Sequence, residues 1–467
     1  MELFNLGIKE AREGLAKGEF SSVELTQAVI DRCHAENDRI GAYLTFDEEA
    51  ALKLAAANPK AVPIAIKDLI NVAGQPCTCG SKILKGYVSP YDATVIRNIK
   101  AADFIPAGRV NMDEFAMGSS TENSALGVTR NPYDLERVPG GSSGGSAAAV
   151  GGNLCIAALG SDTGGSIRQP ASFCNCVGVK PSYGRVSRYG VTAFASSLDQ
   201  VGPMTKSVED AAILLQALAG HDEMDGTTPK IEVPDYLKAV EGASMKGVKL
   251  GIAKEYFDVK GMDPEVKRIT EESIRKCEAA GAELVEVSLP HTEYAMAVYY
   301  IIAPAEASAN LARFDGVRYG HRSAAAKDVL SLYMKSRAEG FGPEVKRRII
   351  MGTYVLSSGY YDAYYGRAQK VRTLIKRDFD EVFAKCDALI TPCAPTPAFR
   401  FKELQDPLTM YLNDLFTIPS ALAGVCASSV PAGFADGKLP VGVQFICGSF
   451  EESKLLRVSK AFEDLTR

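Results

Sequence analysis

The sequence predicts an α/β fold, a large central sheet covered by helices. Three observations support this. Short apolar runs of strand type alternate with segments of helical period, both before residue 160 and again after residue 245. Two glycine/serine loops flank one such run, where a sheet edge would need tight turns. At 467 residues, with 46% hydrophobic and 23% charged residues, the chain has ordinary globular composition and enough length for a large core.

Taken in order, Ser21-Ser22-Val23-Glu24 has the form of a capping box, and Val23, Ala28, Val29 and Cys33 recur at helical spacing, so residues 1–60 read as a helical layer over the core. Val62 to Ile66 is a strand that ends abruptly in Lys67-Asp68. Ala93 to Ala102 reads as helix, Phe104 to Gly108 as strand and Asn111 to Ser119 as a connection. Ser146 to Val150 is a short helix of small residues, Leu154 to Leu159 a buried strand, and Gly160 to Ser166 the loop at its C-terminal end, where ligands of open α/β sheets sit. Residues 61–225 form the unit that carries these loops.

Ser207 to Leu218 is helical, and Thr227-Thr228-Pro229 marks a seam, after which residues 226–467 continue the same domain. There Val248 to Ala253 and Glu283 to Val287 are strands around a helix from Pro264 to Ala280. Glu293 to Arg313 and Val345 to Phe383 are long helical stretches, Ala388 to Thr391 and Val441 to Ile446 are strands, and a last helix starts at Glu451.

The net charge of −5 carries no electrostatic footprint for nucleic acid or an anionic membrane, so any such partner would need a local patch or another subunit. The N-terminus lacks the basic start and apolar core of a signal peptide, and no run reaches the roughly 18 apolar residues that span a bilayer. Eleven cysteines, an odd number, read as reduced core thiols of a cytoplasmic protein. Cys77-Thr78-Cys79 and Cys174-Asn175-Cys176 lack the usual zinc-ligand spacing, so no metal is expected.

The chemistry lies between Val138 and Ala171, and four readings of its loops compete. A phosphate cradle would use backbone donors, although neither G-x-x-x-x-G-K-[ST] nor G-x-G-x-x-G is present. Gly140-Gly141-Ser142-Ser143-Gly144 matches a hydrolase elbow with Ser142 as nucleophile, which needs His221, His291 or His321 as base. Purely structural glycines are the third reading. The fourth joins the loops to Lys67. A serine hydroxyl needs a base, and a lysine serves once neutral; with an ordinary pKa only about 0.04% is neutral at pH 7, and a shift of about 3 units costs roughly 4 kcal/mol, which burial could supply. An ion pair of Lys67 with Asp68 or Asp92 would instead disqualify it.

Lys67 after its strand, Gly-Gly-Ser-Ser-Gly-Gly-Ser at 140 to 146 and Asp162-Thr163-Gly164-Gly165-Ser166-Ile167-Arg168-Gln169-Pro170, in this order, resemble the amidase signature family. The resemblance implies a large mixed, mostly parallel central sheet with helices on both faces. It also implies a Ser-cisSer-Lys triad: Ser166 as nucleophile, Ser142 as the bridging serine after a cis peptide, and Lys67 as base. The backbone of Thr163, Gly164, Gly165 and Ser166 would form the oxyanion hole.

Asn111 to Thr121, Lys180 to Arg188, Phe194 to Gln200, Arg313 to Gly320 and Glu344 to Tyr365 are similar to the glutaminase subunits of tRNA-dependent amidotransferases within that family; only Asn175-Cys176 departs, where small or apolar residues are expected. That similarity implies glutamine as substrate and a ligase complex of three subunits, in which a B subunit, holding ATP and Mg, amidates Glu-tRNA(Gln) and a small C subunit ties the parts together. No cofactor is expected in this chain. Candidates to hold glutamine are Arg347, or its neighbour Arg348, for the α-carboxylate, Asp414 for the α-ammonium and Tyr299, or Tyr300, beside them, because an arginine fork suits a carboxylate and a buried charge wants its opposite. A stand-alone amidase and a non-catalytic binding subunit remain as other readings.

Overall fold

In the computed structural model, which describes residues 2–466 apart from 258 and 260, the chain is built on one sheet. In chain order the strands are β1 (Tyr43–Thr45), β2 (Val62–Lys67), β3 (Phe104–Val110), β4 (Ala157–Asp162), β5 (Val177–Lys180), β6 (Gln200–Thr205), β7 (Lys249–Ala253), β8 (Glu283–Val287), β9 (Ala388–Pro392), β10 (Cys426–Ala435) and β11 (Leu439–Cys447). Across the sheet they run β1-β3-β2-β4-β6-β5-β10-β11-β9-β7-β8. Every residue of β2, β3, β4, β5, β6, β9 and β11 is buried, so helices and loops cover both faces.

The sheet is mixed as expected, but it is not mostly parallel. Only β2 with β3, β2 with β4, β7 with β8 and β7 with β9 pair in parallel, and the other neighbours are antiparallel. The expectation missed the strands responsible. β5 has only four residues, β6 reads Gln-Val-Gly-Pro-Met-Thr, and β10 carries Pro431 at an irregularity between Pro431 and Gly433. Glycine, proline and serine hide such strands from a hydrophobic-pattern reading, although a bulge tolerates proline.

Local signals are realised where they are strong. Ser21 Oγ accepts the Glu24 N–H while Glu24 accepts that of Ser21, opening the helix Ser22–Ile40, which Gly41 ends at φ +68°. The helix Gly144–Gly151 is longer than foreseen, and its small residues let it lie close: a Cβ on Gly145 would run into the Asn111 backbone. The long stretch expected from Val345 to Phe383 is split into Pro343–Val355 and Arg367–Phe383, with Gly359 at φ +85° between them.

The strand expected at Leu154 to Leu159 instead runs to Asp162, because Gly160, Ser161 and Asp162 pair with Gly202, Val201 and Gln200 of β6. Parallel pairing sets Ala65 and Ile66 against Ala158 and Leu159, so Lys67 and the segment after Asp162 emerge at the same C-terminal sheet edge. Among the described residues no helix is long and apolar enough to cross a membrane.

Candidate active site

Lys67, fully buried at the end of β2, donates from Nζ to Ser142 Oγ at 2.8 Å, Ser143 Oγ at 2.8 Å and Ser161 Oγ at 2.9 Å. No carboxylate pairs with it among the described residues. Asp68 faces Arg109 at 3.2 Å and accepts the Thr78 N–H at 3.0 Å, and Asp92 pairs with Lys100 at 2.6 Å. Both ion pairs that would have disqualified Lys67 are therefore made elsewhere. Burial lowers its pKa to about 7, and the more distant carboxylates of Asp113, Asp162 and Asp199 pull the other way.

The two loops treat their backbone donors differently. In the first, the N–H groups of Gly141, Ser143 and Gly145 go to Gln169 Oε1, the Ser166 carbonyl and the Asn111 carbonyl. That loop has spent these donors on the protein, which leaves it poorly suited to cradle a phosphate. In the second, the N–H groups of Thr163, Gly164, Gly165 and Ser166 donate to no protein acceptor among the described residues. These are the groups an oxyanion hole needs. Gly165 holds φ +150°, a Cβ there would run into Thr417, and a Cβ on Gly164 would lie 2.8 Å from the Tyr299 ring. Only glycine fits at either position.

Ser166 lies 7% exposed, and its carbonyl accepts from Ser143 N at 3.1 Å. This bond ties the two loops together, while Ser166 Oγ itself has no partner among the described residues. The peptide Gly141–Ser142 is cis. The structure thus joins Lys67 directly to Ser142 and brings Ser166 alongside through the backbone. The elbow reading does not hold, because Ser142 Oγ has Lys67 as its partner and none of the three histidines bonds it: His221 bonds the Thr228 carbonyl at 2.8 Å, His291 Asp378 at 2.9 Å and His321 Glu339 at 2.7 Å.

The second loop is anchored at both ends. Arg168, buried, grips Asp162 through Nε and Nη2 at 2.9 Å each and reaches Ser420 and Gln444 through Nη1. Burial pushes the Asp162 carboxyl up, but Arg168 more than offsets this and holds it below its usual range. Thr163 Oγ1 donates to Asp199 at 2.7 Å, and Thr417 Oγ1 to the Gly164 carbonyl at 2.6 Å.

Beside Gly165 lies Asp414, buried, accepting from Ser119 Oγ at 2.5 Å; burial raises its carboxyl to about 7 against that bond and the pull of Arg348. Tyr299 is buried over Gly164. The two neighbouring arginines have different surroundings, and Arg347 is the exposed one. Its side chain is 43% exposed and pairs with Glu344. Arg348, 3% exposed, bonds Glu344 at 2.8 Å, lies against the rings of Phe194, Tyr300 and Tyr411, and acts electrostatically on Tyr299 and Asp414. Adjacent residues on a helix point about 100° apart, so the two arginines face different surroundings.

Sequence reasoning missed Ser143, Ser161, Asp113, Gln169 and Asp199. The only signal for Ser143 is that it neighbours Ser142; Ser161 and Gln169 lie beside and within the second loop's own stretch, and Asp113 and Asp199 reach the site from segments farther along the chain. Among the described residues no group of His, Cys, Asp or Glu side chains is arranged to hold a metal ion, and all eleven cysteines are buried free thiols.

The chain matches the Amidase family model over residues 24–456. It is 54% identical over 478 residues to the A subunit of the glutamyl-tRNA(Gln) amidotransferase of Desulfatibacillum aliphaticivorans, covering 100% of this chain and 98% of the relative. It is 56% identical over 479 residues to the protein so named in Carboxydothermus hydrogenoformans, with the same coverage. The crystal structure of the Thermotoga maritima protein of that name superposes with a TM-score of 0.85 at 44% identity, covering 99% of this chain and 95% of that one. A peptide amidase from Stenotrophomonas maltophilia gives 0.83 at 29% identity, covering 99% and 97%. A match over almost the whole chain, with relatives more than half identical from end to end, places this chain in the amidase family.

Proposed function

We propose that this chain is the glutamine-hydrolysing subunit of a tRNA-dependent amidotransferase. It would release ammonia from glutamine so that a B subunit, holding ATP and Mg, can convert Glu-tRNA(Gln) to Gln-tRNA(Gln), with a C subunit completing a heterotrimer. The observation that carries the chemistry is the desolvated Lys67 amine on Ser142, free of any carboxylate partner among the described residues. Full-length identity of 54–56% to relatives named as such subunits supports the choice of complex.

In this reading neutral Lys67 draws a proton from Ser142 as Ser142 takes the proton of Ser166, and Ser166 Oγ attacks the side-chain amide carbon of glutamine. The oxyanion that forms meets the free N–H groups of residues 163 to 166, each well-placed donor contributing about 3 to 4 kcal/mol. The proton returns through Ser142 to the leaving nitrogen, the C–N bond breaks and ammonia departs. Water then hydrolyses the glutamyl ester on Ser166 by the same route. Arg348 would hold the substrate's α-carboxylate and Asp414 its α-ammonium, with Tyr299 packed beside them. No step in this chain calls on a cofactor.

The test is to incubate the chain with glutamine, alone and with candidate B and C subunits, ATP and Glu-tRNA(Gln). A glutamyl adduct on Ser166 by mass, and ammonia release stimulated by the partners, are expected, and Ser166→Ala should abolish both without loss of assembly. Undiminished ammonia release by that variant would overturn the proposal. Full turnover of other amides without partners would instead mark a stand-alone amidase.

A further inference from the structure

Gln169 is fully buried at the start of the helix Arg168–Phe173, three residues after Ser166. Its Oε1 accepts the Gly141 N–H at 3.0 Å, and its Nε2 donates to the Ser119 carbonyl at 3.0 Å. The orientation of this amide is dictated by its partners: turned over, it would set donor against donor and acceptor against acceptor.

Each partner leads to a different part of the site. Gly141 immediately precedes Ser142, whose hydroxyl sits on Lys67. Ser119 uses its own hydroxyl to hold Asp414 at 2.5 Å. The first loop lies so close on Gln169 that a Cβ on Gly140 would stand 2.5 Å from Oε1. One side chain therefore spans the nucleophile segment, the bridging-serine loop and the segment that orients Asp414.

We infer that Gln169 is a positioning residue that couples the seating of the substrate's ammonium end at Asp414 to the alignment of Ser142 with Lys67. This rests on the glutamine reading above. An amide both accepts and donates at this span. A glutamate carboxylate of the same shape can accept from Gly141 but repels the Ser119 carbonyl, and a methionine fills similar volume with neither bond.

The test uses the assembled amidotransferase and compares Gln169→Met, Gln169→Glu and Ser119→Ala with the parent for glutamine hydrolysis and thermal unfolding. Gln169→Met is expected to lower kcat at least tenfold and raise KM for glutamine at least fivefold. Gln169→Glu should keep most of kcat and lose chiefly in KM. Values for Gln169→Met within twofold of the parent overturn the inference, and so does a fall in kcat at unchanged KM, which leaves only a local brace. If Gln169→Met unfolds, the pair of Gln169→Glu and Ser119→Ala decides: coupled residues give a double variant with little more KM loss than either single one, and additive losses overturn the inference. A parent complex without glutaminase activity would remove the functional reading itself, and this inference with it.

Discussion

Lys67 Nζ lies 2.8 Å from Ser142 Oγ, while the carboxylate of the next residue in the chain, Asp68, is turned onto Arg109 at 3.2 Å. Asp68 is the first residue past β2, and its carboxylate is taken up by Arg109 and the Thr78 N–H, so the nearest possible counter-ion in sequence is engaged away from the amine. Arg109 also donates to the Ile70 carbonyl at 2.5 Å and so holds the chain just past Lys67 in place. What remains around Nζ are three hydroxyls and, at 3.4 Å, the Ser161 carbonyl, which stabilise a charge less than a carboxylate would.

The first consequence is a pH profile. Burial brings the Lys67 amine to about 7, and a base works only when neutral, so kcat/KM for glutamine should climb with pH through about 7 and level off above it. On the acid side the loss should approach tenfold per pH unit. In the role proposed for it, Asp414, which burial raises to about 7, would have to lose its proton to receive an ammonium group, so it titrates in the same direction and steepens that limb. Initial rates from pH 5.5 to 9 check this, and a flat profile down to pH 6 would remove neutral Lys67 from the mechanism.

Replacing Lys67 separates chemistry from structure. Lys67→Arg keeps a cation that cannot give up its proton, and Lys67→Ala keeps none; both should lower kcat by about a thousandfold or more, within the range a general base supplies. The Ser143 hydroxyl still donates to the Ser161 carbonyl at 3.0 Å without the lysine, so the cage stays partly bonded. Melting of Lys67→Ala should accordingly shift far less than turnover. A variant that loses its fold but retains specific activity in the folded fraction would identify a structural lysine instead.

The second loop depends on its side anchor. Thr163→Val keeps the shape but removes the donor to Asp199, whose buried carboxylate then relies on the N–H groups of Phe194 and Ala195. A lost hydrogen bond to a buried charge costs about 1 to 3 kcal/mol of stability. The free N–H groups beginning at residue 163 would also lose their fixed direction, so kcat should fall about tenfold or more at nearly constant KM, and Thr163→Ser should restore it. Steady-state kinetics beside chemical denaturation read both effects.

What the sequence disclosed and what it hid follow one physical rule. Lys67, the Gly-Ser-Ser loop and the Asp-Thr-Gly-Gly-Ser loop are legible because unusual backbone and a lysine closing an apolar strand leave local traces. Ser161, Gln169 and Asp199 are not, because each acts through a partner far along the chain: Ser161 on Lys67, Gln169 on Gly141 and Ser119, Asp199 on Thr163. The strands β5, β6 and β10 were hidden in the same way, since their place in the sheet comes from neighbours on both sides rather than from their own glycine- and proline-bearing sequences.

The arginine pair gives the sharpest case, because Arg347 and Arg348 read as equivalent cations until the fold buries one and exposes the other. Arg348 is enclosed by Phe194, Tyr300 and Tyr411, with Tyr300 stacked on Tyr411 at 3.9 Å, and Glu344 is its only carboxylate partner among the described residues. Glu344 already accepts from the Tyr411 hydroxyl at 2.8 Å, which leaves the guanidinium with donors to spare for a substrate carboxylate. Arg348→Lys should therefore raise KM for glutamine about a hundredfold, since an ammonium cannot reproduce a planar fork between aromatic rings. Arg347→Gln removes an exposed ion pair worth at most about 1 kcal/mol and should leave KM within twofold. Measuring both variants in one assay settles the register: if Arg347→Gln carries the larger loss, the pocket has been assigned to the wrong face of the helix.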